Sequence, residues 1–196
     1  MSDLETMKAY ARQAKKYSEC FSRDKPDQDL QDFMDGLVPS AKVLDLGCGP
    51  GNSAAMMRDA GFDVDALDAS PEMAEIGRQK YGIDIQVGRF DQLEAIDLYD
   101  GIWVNFSLLH APHEQVPAHL AKIKRAMRKG GLLHIGLKIG QGSKRDQLGR
   151  MYYFHSVEGV QNMLREAGFD VVFTREGAAK GLAGTKDPFM IIRAHG

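Results

Sequence analysis

From residue 41 onward the chain alternates short apolar runs with longer stretches in which apolar residues recur every three or four positions. The short runs predict strands at 42–46, 63–67, 84–87, 100–105, 132–137, 170–174 and 189–194, and the periodic stretches predict helices at 52–60, 71–81, 114–129 and 157–167. Local punctuation agrees with these limits. Ser70 is placed to cap the second of these helices, with Pro71 in the first turn, where a missing N–H costs nothing. Gly61 and Gly168 follow helical patterns, where a left-handed cap favours glycine. The pair Gly130–Gly131 is expected to end the helix that carries Lys122, Lys124, Arg125, Arg128 and Lys129. Residues 1–39 have a different texture: they are polar, with Tyr10, Ala14 and Tyr17 at helical spacing, a break at Pro26, then a short amphipathic stretch through Leu30, Phe33 and Met34. Strand–helix alternation implies parallel pairing with helices on both faces, hence a doubly wound α/β sheet. The expected division is an N-terminal helical segment, 1–39, followed by one α/β domain, 40–196. Residues 140–150 (GQGSKRDQLGR) read as a loop.

Composition narrows the picture. A chain of 196 residues suits one globular domain. Twenty-five Lys+Arg against 27 Asp+Glu give a formal net charge of −2, so no nucleic-acid partner is expected. Two cysteines, Cys20 and Cys48, supply neither a disulfide framework nor a four-thiolate zinc site and read as reduced. No apolar run approaches the roughly 18 residues of a membrane span, and the start MSDLETMKAYARQAKKY lacks the apolar core of a signal peptide. The expectation is a cytoplasmic protein with no membrane partner.

The candidate chemistry lies in Val43-Leu44-Asp45-Leu46-Gly47-Cys48-Gly49-Pro50-Gly51. A predicted strand runs into three glycines at every second position, and a predicted helix follows. Such a backbone turns sharply, lets a ligand lie against the main chain, and offers it free N–H groups at the helix start. A bare strand–helix turn needs fewer glycines. The dinucleotide fingerprint G-x-G-x-x-G keeps a glycine where Asn52 stands here. Asp45, two residues before the first glycine, would repel a pyrophosphate but suits a cationic amine or sulfonium. Asp68 follows Gly47 by 21 residues and closes the second strand, where a carboxylate can accept from both hydroxyls of a ribose.

With VLDLGCGPG, then ALDAS, YDGIWVNFSLLHAP, a helix ending in RKGG, and LREAGFDVV, the chain resembles the class I S-adenosylmethionine-dependent methyltransferases from about residue 10 to its end. The resemblance implies a Rossmann-like sheet of seven strands, mostly parallel with the last strand antiparallel. It also implies S-adenosyl-L-methionine as cofactor, lying across the carboxyl ends of the first four strands. Asp45, Gly47, Cys48, Gly49 and Gly51 would then surround the methionine portion, Asp68 and its neighbour Ala69 would hold the ribose, and Asn105 would lie by the transferred methyl. One position departs from the pattern: relatives often carry an acid near the end of the third strand, and this sequence has Arg89-Phe90-Asp91. Phe90 is expected to pack on the adenine and Asp91 to accept from its amino group.

The acceptor is less legible. The [D/N]-P-P-[Y/F] run of methyltransferases acting on DNA bases or glutamine amides is absent after the fourth strand, Asp100 opens its strand rather than ending it as a magnesium ligand would, and two cysteines are too few for arsenite chemistry. Pro112 interrupts any helix that would bring His110 and His113 to one face, and with His119 they offer no thiolate partner, so no metal site is expected. His110, close to the transfer point, is the candidate to orient or deprotonate a hydroxyl, or else simply bonds a loop carbonyl. Lys138, Arg150, Tyr152 and Tyr153 read either as contacts for an anionic or aromatic substrate or as a solvated loop with a packed aromatic run, and Tyr10 and Tyr17 read as a lid over the cofactor or as packing. The leading reading is metal-independent, in-line methyl transfer to a small-molecule acceptor, with no separate recognition domain. The alternatives are an NAD(P)-dependent oxidoreductase and a non-catalytic S-adenosylmethionine-binding module.

Overall fold

A computed structural model describes residues 3–196. Nine strands and six α-helices follow in the order α1 (Leu4–Phe21), α2 (Gln28–Asp35), β1 (Lys42–Leu46), α3 (Asn52–Asp59), β2 (Asp63–Asp68), α4 (Pro71–Tyr81), β3 (Ile85–Val87), β4 (Tyr99–Asn105), α5 (Val116–Ala126), β5 (Met127–Lys138), β6 (Ser143–Arg145), β7 (Met151–Tyr153), α6 (Val157–Glu166), β8 (Asp170–Lys180) and β9 (Lys186–His195). Seven strands form one sheet in the order β3-β2-β1-β4-β5-β9-β8. Only β9 runs against its neighbours, pairing antiparallel with both β5 and β8. The last strand of the chain is thus the antiparallel one, but it lies one place in from the edge. The strand order reverses between β1 and β4, which opens a crevice at their carboxyl ends, where ligands bind in sheets of this kind.

Both faces of the central strands are covered, which is why β1 and β4 read as nearly continuous apolar runs. Leu44, Leu46, Ile102, Val104 and Leu133 pack under α5 and α6. Val43, Trp103 and Leu132 pack on the other face with Phe33 of α2 and Met57 of α3. Asp45 alternates with Val43, so its carboxyl falls on this second face, at the crevice end of β1.

Four helix starts are capped by side chains: Asp3 and Asp27 accept from Thr6 and Leu30 backbone N–H groups, and Ser70 and Ser156 from those of Met73 and Gly159. Helix α1 lies across the crevice, and α2 buries Leu30, Phe33 and Met34 in the sheet core. Two expectations need correction. The basic helix stops at Ala126, not at the glycine pair. Asp97 and Leu98 donate backbone N–H groups to the carbonyls of Arg125 and Ala126, and Arg128–Gly131 then bulge out of the β4–β5 pairing. Residues 140–150 are part of a small hairpin, β6–β7, whose turn is tied by Asp146 accepting from the N–H groups of Leu148 and Arg150. No helix among the described residues is long and apolar enough to cross a membrane.

Candidate active site

The glycine turn between β1 and α3 adopts the conformation its composition allows. Gly47 and Gly49 have φ of +75° and +56°, a region that side chains rarely enter. The turn is fixed from below, since the N–H groups of Gly47 and Cys48 donate to the Leu67 carbonyl at 2.7 and 3.1 Å. At Gly47 a Cβ would fall 2.3 Å from the Cβ of Ser107, whose hydroxyl donates to the Leu46 carbonyl at 2.7 Å. At Gly49 the nearest atom belongs to the Tyr17 ring, 3.5 Å from the position of a Cβ. The backbone there is a bare shelf beneath an aromatic ring.

Two carboxylates face this shelf. Asp68 accepts from the Gly49 N–H at 2.8 Å and the Ser70 N–H at 2.9 Å, and desolvation still pushes its pKa up to about 6. Asp45 is 2 % exposed. Burial, helped by the nearby charge of Asp68 and opposed by the Ala54 N–H, pushes its pKa up to about 8, and its Oδ2 has no hydrogen-bond partner. A buried acid with an orphaned oxygen is suited to a cation or a hydrogen-bond donor. The residues present therefore fit a ligand that carries a cationic amine and a sulfonium beside a ribose.

Two cavities meet at the shelf. The smaller, about 100 Å³, runs from Gly49 past Asp68, Ala69, Met73 and Arg89 to Phe90 and has the character of a nucleoside slot. The larger, about 350 Å³, holds Asp45, Cys48 and Asn52 at one end and Lys138, Tyr152 and Phe189 at the other. Tyr10, Tyr17, Gly47, Asn105 and Phe106 line both. Phe106 has φ +54°, a strained conformation for an aromatic residue, at the point where the cavities join.

Helix α1 roofs this junction. Arg145 of the β6–β7 hairpin forks onto Asp3 at 2.8 and 3.0 Å, and the Met151 N–H donates to the Thr6 hydroxyl at 2.8 Å. On the opposite side Lys80 of α4 donates to the Ser18 carbonyl and hydroxyl at 3.3 and 3.2 Å.

His110 belongs to the same clasp. Its Nδ1 lies 2.5 Å from the Met151 carbonyl, which can only accept, so Nδ1 carries the proton. Its Nε2 then accepts from the Tyr10 hydroxyl at 2.8 Å, and that hydroxyl in turn lies 3.5 Å from Nη1 of Arg150. Burial depresses the His110 pKa to about 4. Both ring nitrogens are engaged, so His110 holds Tyr10 rather than standing ready as a base. His113 and His119 do not converge on it; they contact the Gly142 carbonyl and the Phe90 ring.

Other expected residues divide. Lys138 and Arg150 line the larger cavity, each already paired, Lys138 with Asp187 at 2.7 Å and Arg150 with Asp146 at 2.9 and 2.7 Å. Tyr152 faces the cavity, and strand alternation turns Tyr153 away toward His113, 5.4 Å between ring centroids. Asp91 also turns away. Gln92 caps the Arg89 N–H at 2.9 Å, and Asp91, on the short 3₁₀ turn Phe90–Gln92, pairs with the Arg89 side chain at 3.2 Å, so Arg89 lines the nucleoside slot in its place. Asp187, Asp146, Trp103 and Phe189 carry no motif and are site residues or their partners only through the tertiary fold.

Residues 43–131 match a family described as a methyltransferase domain. The O-methyltransferase cnsE of Penicillium expansum is 30% identical over 148 residues, which is 66% of this chain and 52% of that protein. Among solved structures, a SAM-dependent methyltransferase from Methanosarcina mazei superposes with a TM-score of 0.76 at 16% identity, over 87% of this chain and 98% of that one. The Burkholderia thailandensis 1,6-didemethyltoxoflavin-N1-methyltransferase, with bound 1,6-didemethyltoxoflavin and S-adenosylhomocysteine, does so with a TM-score of 0.75 at 20% identity, over 98% and 87%. The chain spans about half the length of the curated relatives it matches.

Proposed function

We propose that this chain, which belongs to the class I S-adenosylmethionine-dependent methyltransferases, transfers a methyl group from S-adenosylmethionine to a small-molecule acceptor. The observation that carries this reading is the orphaned Oδ2 of Asp45, buried beneath the glycine shelf. A dinucleotide pyrophosphate placed there would find no positive charge and would hold the carboxyl protonated, whereas a cationic methionine portion draws its pKa down and supplies the partner that Oδ2 lacks.

S-adenosylmethionine supplies an electrophilic methyl on a positively charged sulfur, so the protein chiefly aligns and desolvates. Asp45 and the bare backbone at Gly47 and Gly49 hold the methionine portion. Asp68 accepts from the ribose hydroxyls, with Ala69 beside it, and Phe90 packs on the adenine. Asn105 and Phe106 flank the transfer point, and Tyr10 and Tyr17 close it from above, with α1 acting as the lid. The carboxylates Asp187, Asp27 and Asp29 that line the larger cavity are held in ion pairs, which supports a transfer that needs no metal. The near-neutral net charge supports a small metabolite over nucleic acid as acceptor, and two thiols without a disulfide support a cytoplasmic setting. A labelled-methyl transfer screen over phenolic, heteroaromatic, acidic and thiol metabolites tests the reading: label should pass to at least one small acceptor, and Gly47→Ala should abolish the transfer. Tight binding of S-adenosylmethionine with no transfer to any acceptor would favour a binding module instead.

A further inference from the structure

The larger cavity is lined by rings, Tyr10, Tyr17, Trp103, Phe106, Tyr152 and Phe189 among them. Its charges are already matched. Lys138 pairs with Asp187 and lies 3.9 Å from the centroid of the Tyr152 ring. The Arg150 guanidinium, 4 % exposed as a residue, is forked onto Asp146 and sits 5.5 and 5.2 Å from the Tyr10 and Tyr152 centroids. Arg23 is paired with Asp27, and Asp29 with Arg175. What remains is Asp45, which belongs to the cofactor end, and Lys180, exposed at the mouth. A carboxylate or phosphate entering this chamber would find Lys138 and Arg150 already neutralised by Asp187 and Asp146, so little net attraction offsets its loss of hydration.

One neutral donor points into the junction. The Asn105 amide lies 3.2 Å from Nε2 of His134, a fully buried ring stacked on Trp103 at 3.6 Å, and Nδ1 of His134 has no partner. With Nε2–H donating to Asn105 Oδ1, only a bare lone pair is left unpaired at Nδ1. The flipped amide would instead leave a buried N–H unsatisfied, the costlier arrangement. His134 therefore fixes Asn105 with its NH2 group free to donate where the two cavities meet.

We infer that the methyl acceptor is an uncharged, planar aromatic or heteroaromatic molecule, with a ring nitrogen or an oxygen placed to accept from Asn105. The inference rests on the methyltransferase reading and narrows it. Trp103 is the single tryptophan of the chain and lines this cavity, so its fluorescence reports occupancy independently of turnover. With S-adenosylhomocysteine saturating, the protein is titrated with methyl 4-hydroxybenzoate, 8-hydroxyquinoline and 4-hydroxyacetophenone, and in parallel with 4-hydroxybenzoate, which differs from the first by an ionised carboxyl. At least one neutral probe should bind about tenfold or more tighter than 4-hydroxybenzoate. Asp187→Asn, which releases Lys138, should narrow that gap, and His134→Phe, which keeps the stack on Trp103 but not the donor, should weaken the neutral probes. Equal or tighter binding of 4-hydroxybenzoate by the unaltered protein, or no binding of any neutral probe, overturns the inference. Failure of S-adenosylhomocysteine to bind overturns the methyltransferase reading instead.

Discussion

Replacing Asp45 by Asn should make the ligand-free protein more stable and the cofactor complex weaker. The folded protein holds this carboxyl with its pKa pushed up to about 8, against 3.8 for the free side chain, because it is buried and lies near Asp68. At neutral pH the fold must therefore protonate an acid that the unfolded chain leaves ionised, across about three pH units. At about 1.4 kcal/mol per unit this disfavours folding by about 4 kcal/mol. Asn keeps an oxygen to accept from the Ala54 N–H and carries no charge, but its NH2 group replaces the orphaned Oδ2 and costs about 1–3 kcal/mol if it stays unpaired. The expected net gain is about 1–3 kcal/mol, or roughly 2–4 °C in Tm for each kcal/mol in a chain of this size. A raised acid gives the fold more bound protons than the unfolded chain. Stability of the unaltered protein should accordingly fall as pH rises from about 4 toward about 8, and Asp45→Asn should flatten the upper part of that fall, leaving the portion up to about pH 6 that Asp68 contributes. Thermal denaturation without ligand between pH 5 and 8, and calorimetry with S-adenosylhomocysteine, read the two sides. Affinity should drop about tenfold or more, because Asn cannot supply the carboxylate that the cationic ligand draws out of the protonated acid on binding. A variant that melts lower and binds as before would refute the assignment of Asp45 to the cofactor.

Gly47→Ala should destabilise the protein by about 1–3 kcal/mol, because a Cβ at φ +75° would also fall 2.3 Å from Ser107, and urea denaturation checks it. Asp68→Ala should weaken cofactor binding while the far-UV circular dichroism stays unchanged; unaltered affinity would remove Asp68 from the site. Tyr10→Phe, which leaves His110 Nε2 without its donor, should cost about 1 kcal/mol and speed amide exchange across α1. His110 should titrate near pH 4 by NMR rather than near 6.5, and because the unfolded chain binds that proton first, it should lower stability as pH falls through this window.

The glycine turn and the carboxylates beside it were legible because they are built from nearly consecutive residues. Val43–Gly51 places strand, turn and helix start in one run, and Asp68 ends the adjacent strand in register, with Leu46 opposite Leu67. Alternation of apolar runs likewise located all seven strands of the main sheet, though β8 and β9 extend past their apolar stretches to residues 180 and 186, where pairing with each other sustains them. The acceptor half was not legible, because its character is decided by partners far apart in the chain. Lys138 and Arg150 left an anionic and an aromatic substrate equally open, because nothing in the sequence places Asp187 and Asp146 beside them. Tyr153 and Tyr152 are adjacent, and a one-residue difference in facing exchanges their roles. Asp91 failed for a local reason, the 3₁₀ turn that points it back at Arg89. The hairpin β6–β7 was read as loop because three-residue strands of polar sequence carry no apolar alternation.

The central claim is that the glycine shelf with Asp45 and Asp68 is a site for S-adenosylmethionine. Isothermal titration calorimetry of the purified chain with S-adenosylmethionine, S-adenosylhomocysteine and NAD tests it most directly. The first two should bind one-to-one, with binding lost in Gly47→Ala and no heat from NAD; tight binding of NAD, or no binding of either sulfur nucleoside, would contradict that assignment.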